Sequence, residues 1–469
     1  MTTDPSGYGA TSFWLETSDD DLTPRPSFDG SGDTDVAILG AGYTGLWTAY
    51  ELLRREPGLR VTILEREIAG FGASGRNGGW CAAGLQVSSA ALERRFGRAG
   101  MTAVEDAVDS GVDEIGRVCR EEGIDADYAK GGSLVVARGP SQVPAMDEHW
   151  AGIEAAGRAD HYQRLDAAGA AERIRVDGAL GGIFGTQYAS MHPGKLVRGL
   201  ARAVERRGGV IHERTAVVDI EPGAGNGQLR PALQTERGEL RADTVVLAGE
   251  AYLTEFRRWH RSLLPTWSLI VLTEPLTDEQ WAEIGWRDRE CLSSYRLSID
   301  YLTRTKDGRI LFGGRGAPYH FGSRIEPGYD RDERTHAMLR RFVEAWFPSL
   351  RGIRFTHAWG GPLGFPRDWL PTFAYDPRTG LATGRGYTGH GVATANLAGR
   401  VLADLITGAR TELTTLPLVD RRGPSWEPEP FRFIGVRFVQ ESLLRLDDRS
   451  ERTGKPPTGR SLAERLAAR

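Results

Sequence analysis

Apolar and polar positions along the 469-residue chain fall into three separated blocks of one kind. Residues 35–39 (DVAIL) are continuously apolar after the first, as in a strand buried on both faces. Leu46, Ala49, Tyr50 and Leu53 then recur at helical spacing, and residues 61–64 read as a second strand, which completes a β-α-β unit. The pattern returns where His192-Pro193 opens a helix with Val197, Leu200, Ala201 and Val204 on one face, ended by Gly208-Gly209, with strands predicted at 214–220 and 243–248. A last glycine-rich loop, 384–391, leads into a helix carrying Ala398, Val401, Leu402 and Leu405 on one side. The three blocks read as parts of one α/β layer.

Between them the pattern mixes helical stretches with alternating strand candidates at 133–137 and 309–312, as expected of a second, largely antiparallel unit. The predicted division is an N-terminal arm at 1–32 with an apolar anchor at Phe13, Trp14 and Leu15, and a discontinuous dinucleotide domain at 33–90, 185–255 and 356–410. An inserted α+β substrate domain covers 91–184 and 256–355, and a C-terminal extension 411–469 includes an amphipathic segment, 431–446, predicted to pack back on the body. No internal repeat of fixed period is evident.

Composition narrows the function classes. A formal charge of −4 provides no positive field to draw nucleic acid, and the excess of Arg over Lys reads as codon usage. Cys81, Cys119 and Cys291 form no close pair, which argues against a disulfide framework or zinc site, and no metal site is expected. Without a leader pattern or a long apolar run, the expectation is a cytoplasmic protein with no membrane span. The 60 glycines, about 13% against roughly 7% in an average protein, require tight turns or close approach of backbone to a ligand.

Much of that glycine carries chemistry. Gly40-Ala-Gly42-Tyr43-Thr44-Gly45 is G-x-G-x-x-G between a predicted strand and helix, with Glu65 at the end of the next strand. Gly40 permits the turn, Gly42 lets backbone reach a pyrophosphate, Gly45 allows close packing, and Glu65 accepts from ribose hydroxyls. A free Glu there disfavours a 2′-phosphate and leaves NAD or FAD. The following run, Gly70 to Gly84, is too glycine-dense for a helix or strand; it reads either as a mobile surface loop or as a crossing over a flavin, with Ser74, Arg76 and Asn77 as polar contacts.

These motifs resemble the D-amino-acid-oxidase-type flavoprotein superfamily, in the branch typified by gamma-glutamylputrescine oxidases. The blocks that carry the resemblance are DVAILGAGYTGL, GASGRNGGW, MHPGKLVRGLA, VVLAGEAY, HAWGGPLGFPRDWLP and GYTGHGVATANLAGRVLADLI, in order along nearly the whole chain. The resemblance implies a Rossmann-like FAD domain beneath an antiparallel substrate sheet. Gly40, Gly42, Tyr43, Thr44, Gly45, Glu65 and Arg66 would hold the ADP half; Ala73, Ser74, Arg76, Asn77 and Gly78 would lie along the flavin. Val217 or Val218 would contact the adenine side and Ala248 and Gly249 the pyrophosphate, while Gly361, Gly384, Gly386, Tyr387, Thr388, Gly389, His390, Gly391 and Val392 would surround the ring edge.

The implied reaction is oxidation of the C–N bond of a primary or secondary amine, a gamma-glutamylated polyamine or amino acid derivative among the candidates. Hydride passes to flavin N5 and the imine is hydrolysed, with oxygen as acceptor and hydrogen peroxide as product. Two alternatives stay open, a dehydrogenase using another acceptor and a flavin-bearing subunit without amine activity of its own. His390, Tyr387 and Arg76 are the catalytic candidates, with local bonding in the turn as the other role for His390. Tyr301, Arg315 and Trp359 are the substrate candidates, with Trp267, Tyr295, Arg296 and Phe365 as further wall residues. Cys81 stands where related dehydrogenases place a flavin-linking histidine, and Lys306 is the one lysine in the region where related oxidases hold one beside N5.

Overall fold

The 35–39 strand can be buried on both faces only if a layer covers each. In the computed structural model, which describes residues 7–224, 229–315 and 318–467, Gly30–Leu39 lies parallel between Val61–Leu64 and Gly238–Leu247. Val210–His212 and Leu381–Arg385 extend the parallel set at its two sides, and Thr372–Asp376 closes one edge antiparallel. Val36, Ile38, Ile63 and Val246 pack on one face with the helices Tyr43–Arg55, Pro193–Arg206 and Gly391–Thr407. The intervening residues Ala37, Leu39, Leu64, Val245 and Leu247 pack on the other, against Ile220 and Leu233. Those two belong to Val217–Glu221 and Ala232–Thr235, antiparallel strands joined to the first half of Gly238–Leu247. Ala232–Thr235 has no counterpart in the predicted strands, because four residues with no sustained alternation give no signal of their own.

The second sheet has eight strands in the order Phe355–Phe365, Leu264–Thr273, Ile310–Arg315, Asp300–Arg304, Cys291–Ser294, Ser133–Arg138, Ala179–Gly185 and Tyr162–Asp166. All neighbours are antiparallel except Cys291–Ser294 with Ser133–Arg138. Trp267, Leu269 and Val271 point to a core shared with Leu339, Val343 and Trp346 of the helix Glu333–Trp346. Ser268 and Tyr301 face the other way, into a cavity between the sheets.

The segment 356–410, expected to belong to the dinucleotide domain, opens instead with a strand of the second sheet, since Phe355–Phe365 pairs along its length with Leu264–Thr273. Its glycines serve the strand: a Cβ on Gly360 would fall 2.2 Å from Leu269 Cδ2. The C-terminal segment forms the helix Phe431–Thr453 and does pack back, but largely through polar groups. Arg432, Asp447 and Ser450 are buried while Phe431, Ile434 and Phe438 are exposed.

The N-terminal anchor is a single helical turn, Phe13–Glu16, capped by Ser12, whose hydroxyl also donates to the Gly75 carbonyl at 2.7 Å. Trp14 is 2% exposed, donates from its indole to the Asn77 carbonyl at 2.7 Å, and meets His192 and Trp359 edge-on. The arm therefore fixes the 72–78 loop from behind. Trp14→Ala is expected to lower unfolding free energy by about 3–5 kcal/mol in urea titration, the range for deleting a buried aromatic.

Candidate active site

A cavity of about 1080 Å³ opens between the two sheets, at or above the upper end of the roughly 300–1,000 Å³ usual for small-molecule sites. At its floor the fingerprint glycines are required by contact. Gly40 has φ +101°, and a Cβ there would lie 3.0 Å from the Ala248 carbonyl oxygen; on Gly45 it would lie 2.0 Å from that of Gly40. Gly42 caps the helix Tyr43–Arg55 without a side-chain hydrogen bond; Gly42, Tyr43 and Thr44 line the cavity, and the Tyr43 N–H donates to Ser74 Oγ at 2.8 Å. Such a helix start attracts an anion.

Glu65 ends the neighbouring strand with its carboxylate accepting from the backbone N–H groups of Ala41 and Glu67 at 2.8 and 3.0 Å. Burial pushes its pKa up. Arg66 pairs with Glu255 and lies over the Tyr252 ring, 4.9 Å from its centroid. Val217 lines the same end of the cavity, whereas Val218 is 53% exposed and points away.

The 72–78 loop is held by its own side chains. Asn77 Nδ2 donates to the carbonyls of Ala73 and Ser74, and Asn77 Oδ1 accepts from Gly79 N–H. Arg76 Nε donates to the Phe71 carbonyl at 2.7 Å, its guanidinium lies 4.4 Å from the Phe71 ring centroid, and burial lowers its pKa. Gly78 makes room for Tyr301, since a Cβ there would come 2.3 Å from the Tyr301 ring. Tyr301 in turn shares a 2.9 Å hydrogen bond with Ser268.

The last loop is locked by Glu250, which follows Ala248 and Gly249 and which sequence reading did not single out. Its oxygens accept from Gly386 N–H at 2.9 Å and Tyr387 N–H at 3.3 Å, and burial pushes its carboxyl up to about 7. An acid directly after a glycine at a strand end was the available signal. The Tyr387 hydroxyl bonds to Thr44 Oγ1 at 2.7 Å, which ties this loop to the fingerprint helix. His390 Nδ1 lies 3.2 Å from the Gly84 carbonyl and Nε2 lies 2.5 Å from the Gln86 amide. That arrangement suits the neutral tautomer protonated at Nδ1. His390 also precedes a second helix start without a side-chain cap, Gly391–Thr407, whose Gly391, Val392 and Ala395 line the cavity.

Ala73, Ser74, Arg76, Asn77, Gly78, Ala248, Gly249, Gly361, Tyr387, Gly389 and His390 all border this one space. Gly45, Gly384, Gly386 and Thr388 stand behind its wall: Gly384 packs against Ala398, Tyr387 and Thr44, and Thr388 is buried with φ +54°. Two substrate candidates fare differently from Tyr301. Trp359 is 1% exposed in a cluster with Phe13, Trp14 and Leu272, donating to the Arg76 carbonyl, so its aromatic surface is spent on the core. Arg315 ends its strand, and its side chain lies outside the described residues. Tyr295 and Arg296 line the cavity; Trp267 and Phe365 belong to separate apolar clusters. Cys81 is fully buried in the core and does not itself line the cavity, and Lys306 is exposed and paired with Asp127 at 2.7 Å. Trp80, the last residue of GASGRNGGW, lines the wall, and Gln86, Glu105, Asp109 and Arg158 enter it from 85–158, a region whose sequence offered no motif. No helix among the described residues is long and apolar enough to cross a membrane.

The model of the DAO family, FAD dependent oxidoreductase, matches residues 35–405, and the chain belongs to that family. It is 31% identical over 404 residues to the probable oxidoreductase OrdL of Rhizobium meliloti, covering 86% of this chain and 90% of the relative. It is 30% identical over 402 residues to the gamma-glutamylputrescine oxidoreductase of Escherichia coli, covering 85% and 89%. Among solved structures, glycine oxidase from Geobacillus kaustophilus superposes with a TM-score of 0.69 at 21% identity, over 84% of this chain and all of that one. The fold is thus that of the DAO flavoenzymes and FAD is the cofactor. The cradle suits it: two uncapped helix starts face one cavity, and glycines occupy the positions where backbone must approach.

Glu250 provides a test of this wall. Its folded-state pKa of about 7 exceeds the ordinary 4.5, so between those values the native chain holds a proton that the unfolded chain has released. Its contribution to stability is therefore present below pH 4.5 and lost as pH rises through about 7. In urea unfolding of the flavin-free chain, Glu250→Gln is expected to gain stability relative to wild type as pH is raised across that window. A constant difference, or one of opposite slope, contradicts the assignment.

Proposed function

We propose that this FAD-dependent oxidoreductase of the DAO family oxidises the C–N bond of a primary or secondary amine to an imine, which hydrolyses to a carbonyl, with molecular oxygen as electron acceptor and hydrogen peroxide as product. The observation that carries the reading is the continuity of the cavity. One space runs from the fingerprint turn, past the 72–78 loop and the Tyr387–Val392 wall, to the polar face of the second sheet. A cofactor laid along the first half leaves the second half for substrate.

Gly40, Gly42, Glu65, Arg66 and Val217 are assigned to the ADP half, Ala73 to Gly78 with Ala248 and Gly249 to the middle, and Gly361 with Tyr387 to Val392 to the ring. Bound there, FAD supplies a two-electron acceptor for the carbon next to nitrogen. The chain supplies placement and charge. The start of Gly391–Thr407 presents backbone N–H groups and the positive end of its dipole, which stabilises negative charge at that edge. Tyr301, held by Ser268 and by the glycine gaps at 78 and 313, forms a rigid wall. The amine must react neutral, because a protonated nitrogen has no lone pair to stabilise the developing iminium.

The three catalytic candidates read as positioning residues. Tyr387 is bonded to Thr44, Arg76 to the Phe71 carbonyl, and both nitrogens of His390 to Gly84 and Gln86. Tyr387 and His390 join segments distant in sequence, and Arg76 also donates from Nη1 to the Gly360 carbonyl of the second sheet at 3.4 Å.

Purified holoprotein should lose its flavin absorption near 450 nm when an accepted amine is added without oxygen, and release peroxide when oxygen is present. Bleaching without peroxide would assign a dehydrogenase that uses another acceptor. If no member of a broad amine and amino acid panel bleaches the flavin, the amine reading fails.

A further inference from the structure

The half of the cavity beyond His390 has an excess of negative charge. Its described charged lining residues are the acids Glu105, Asp109, Glu148 and Asp300 and the cations Arg158 and Arg296. Both guanidinium groups are already outnumbered by carboxylates. Arg158 reaches Glu105 at 3.5 Å and Asp106 at 2.7 Å and also pairs with Asp109, while Arg296 is held between Asp447 and Glu451, with its Nη2 buried and without a hydrogen bond. A substrate carboxylate placed here would meet acids whose attraction to these cations is already in place.

Glu105 makes the charge specific. It is 7% exposed; its Oε1 accepts from the Ser89 hydroxyl at 2.6 Å, but its Oε2 is buried without a hydrogen bond, 3.5 Å from Arg158 Nε. A carboxylate oxygen left in this state at a cavity wall lacks a donor. Glu105 and Asp109 stand one helical turn apart on Ser89–Glu122 and so share a face. They also lie close to the proposed reaction centre: Gly84 donates its N–H to Asp109 Oδ1 at 3.0 Å while its carbonyl receives His390 Nδ1 at 3.2 Å.

These acids cannot serve the reacting nitrogen, because a neighbouring carboxylate would hold it protonated. Among the described residues the lining carboxylate at the ring end, Glu250, already accepts from Gly386 and Tyr387. On the reading of this cavity as an amine-oxidising site, we propose that it selects amines carrying a second, distal cationic group, received by Glu105 and Asp109, and discriminates against a distal carboxylate. The substrate class is a diamine-like dication. Its reacting amine sheds a proton to solvent on entry while its far ammonium donates to Glu105 Oε2.

Three probes with one four-carbon chain isolate the distal group: n-butylamine, 1,4-diaminobutane and 4-aminobutanoate. Binding to oxidised holoprotein is read from perturbation of the flavin spectrum, and turnover from anaerobic bleaching. The diamine is expected to bind about tenfold tighter than butylamine, the order of one partly buried charge pair, with aminobutanoate weakest and the diamine's advantage shrinking at high salt. Glu105→Gln should remove most of the diamine's advantage over butylamine. Equal binding of the three, or preference for aminobutanoate, overturns the inference. The wild-type series decides this even if Glu105→Gln fails to fold. Ranked binding without any bleaching would uphold the charge selection and sink the amine-oxidation reading, whereas bleaching by monoamines with no advantage for the diamine would do the reverse.

Discussion

Close approach of bare backbone to bare backbone is the constraint on which the rest of this molecule depends. Gly45 sits so near the Gly40 carbonyl that a side-chain carbon would overlap it at 2.0 Å. That contact lets the helix Tyr43–Arg55 lie against the central strand with its first residues lining the cavity. Glycine makes room for a side chain at the second sheet. Gly78 and Gly313 both leave space for the Tyr301 ring, with Cβ positions 2.3 and 2.1 Å from it, which seats that ring in the cavity wall.

Polar joints then hold segments far apart in sequence. Glu250 connects the end of one parallel strand to the Gly386–Tyr387 backbone; Tyr387 connects that backbone to Thr44; Arg76 and Trp14 brace the 72–78 loop. A buried carboxyl accepting two N–H groups is costly to desolvate and has a raised pKa, yet it fixes a glycine-rich loop that has no side chains with which to fix itself.

The cofactor half was legible because its demands are local. A turn that needs Gly40, a helix start at Gly42 and an acid at the end of the next strand leave their marks at fixed spacing, and most of the residues predicted there border the cavity. Gly45 and Gly384 fall behind the wall for the same physical reason that makes them glycines, which is contact with backbone or a neighbouring helix. The substrate half left no such marks. Trp359 carries the same aromatic surface whether it faces a ligand or a core, and only the pairing of Phe355–Phe365 with Leu264–Thr273 shows which. Glu105 and Asp109 had one faint signal, their spacing on a helix, but the ion pairs that give them meaning come from Arg158, about fifty residues on.

The central claim is that one FAD lies along the cavity between these sheets, ADP end at Glu65 and ring end at the start of Gly391–Thr407. A crystal structure of the yellow holoprotein tests it most directly. The account predicts density with ribose hydroxyls on the Glu65 carboxylate, pyrophosphate at Gly42 and the flavin ring between Gly361 and His390, beneath Tyr301. Flavin density in the reverse orientation, or outside this cavity, would contradict it.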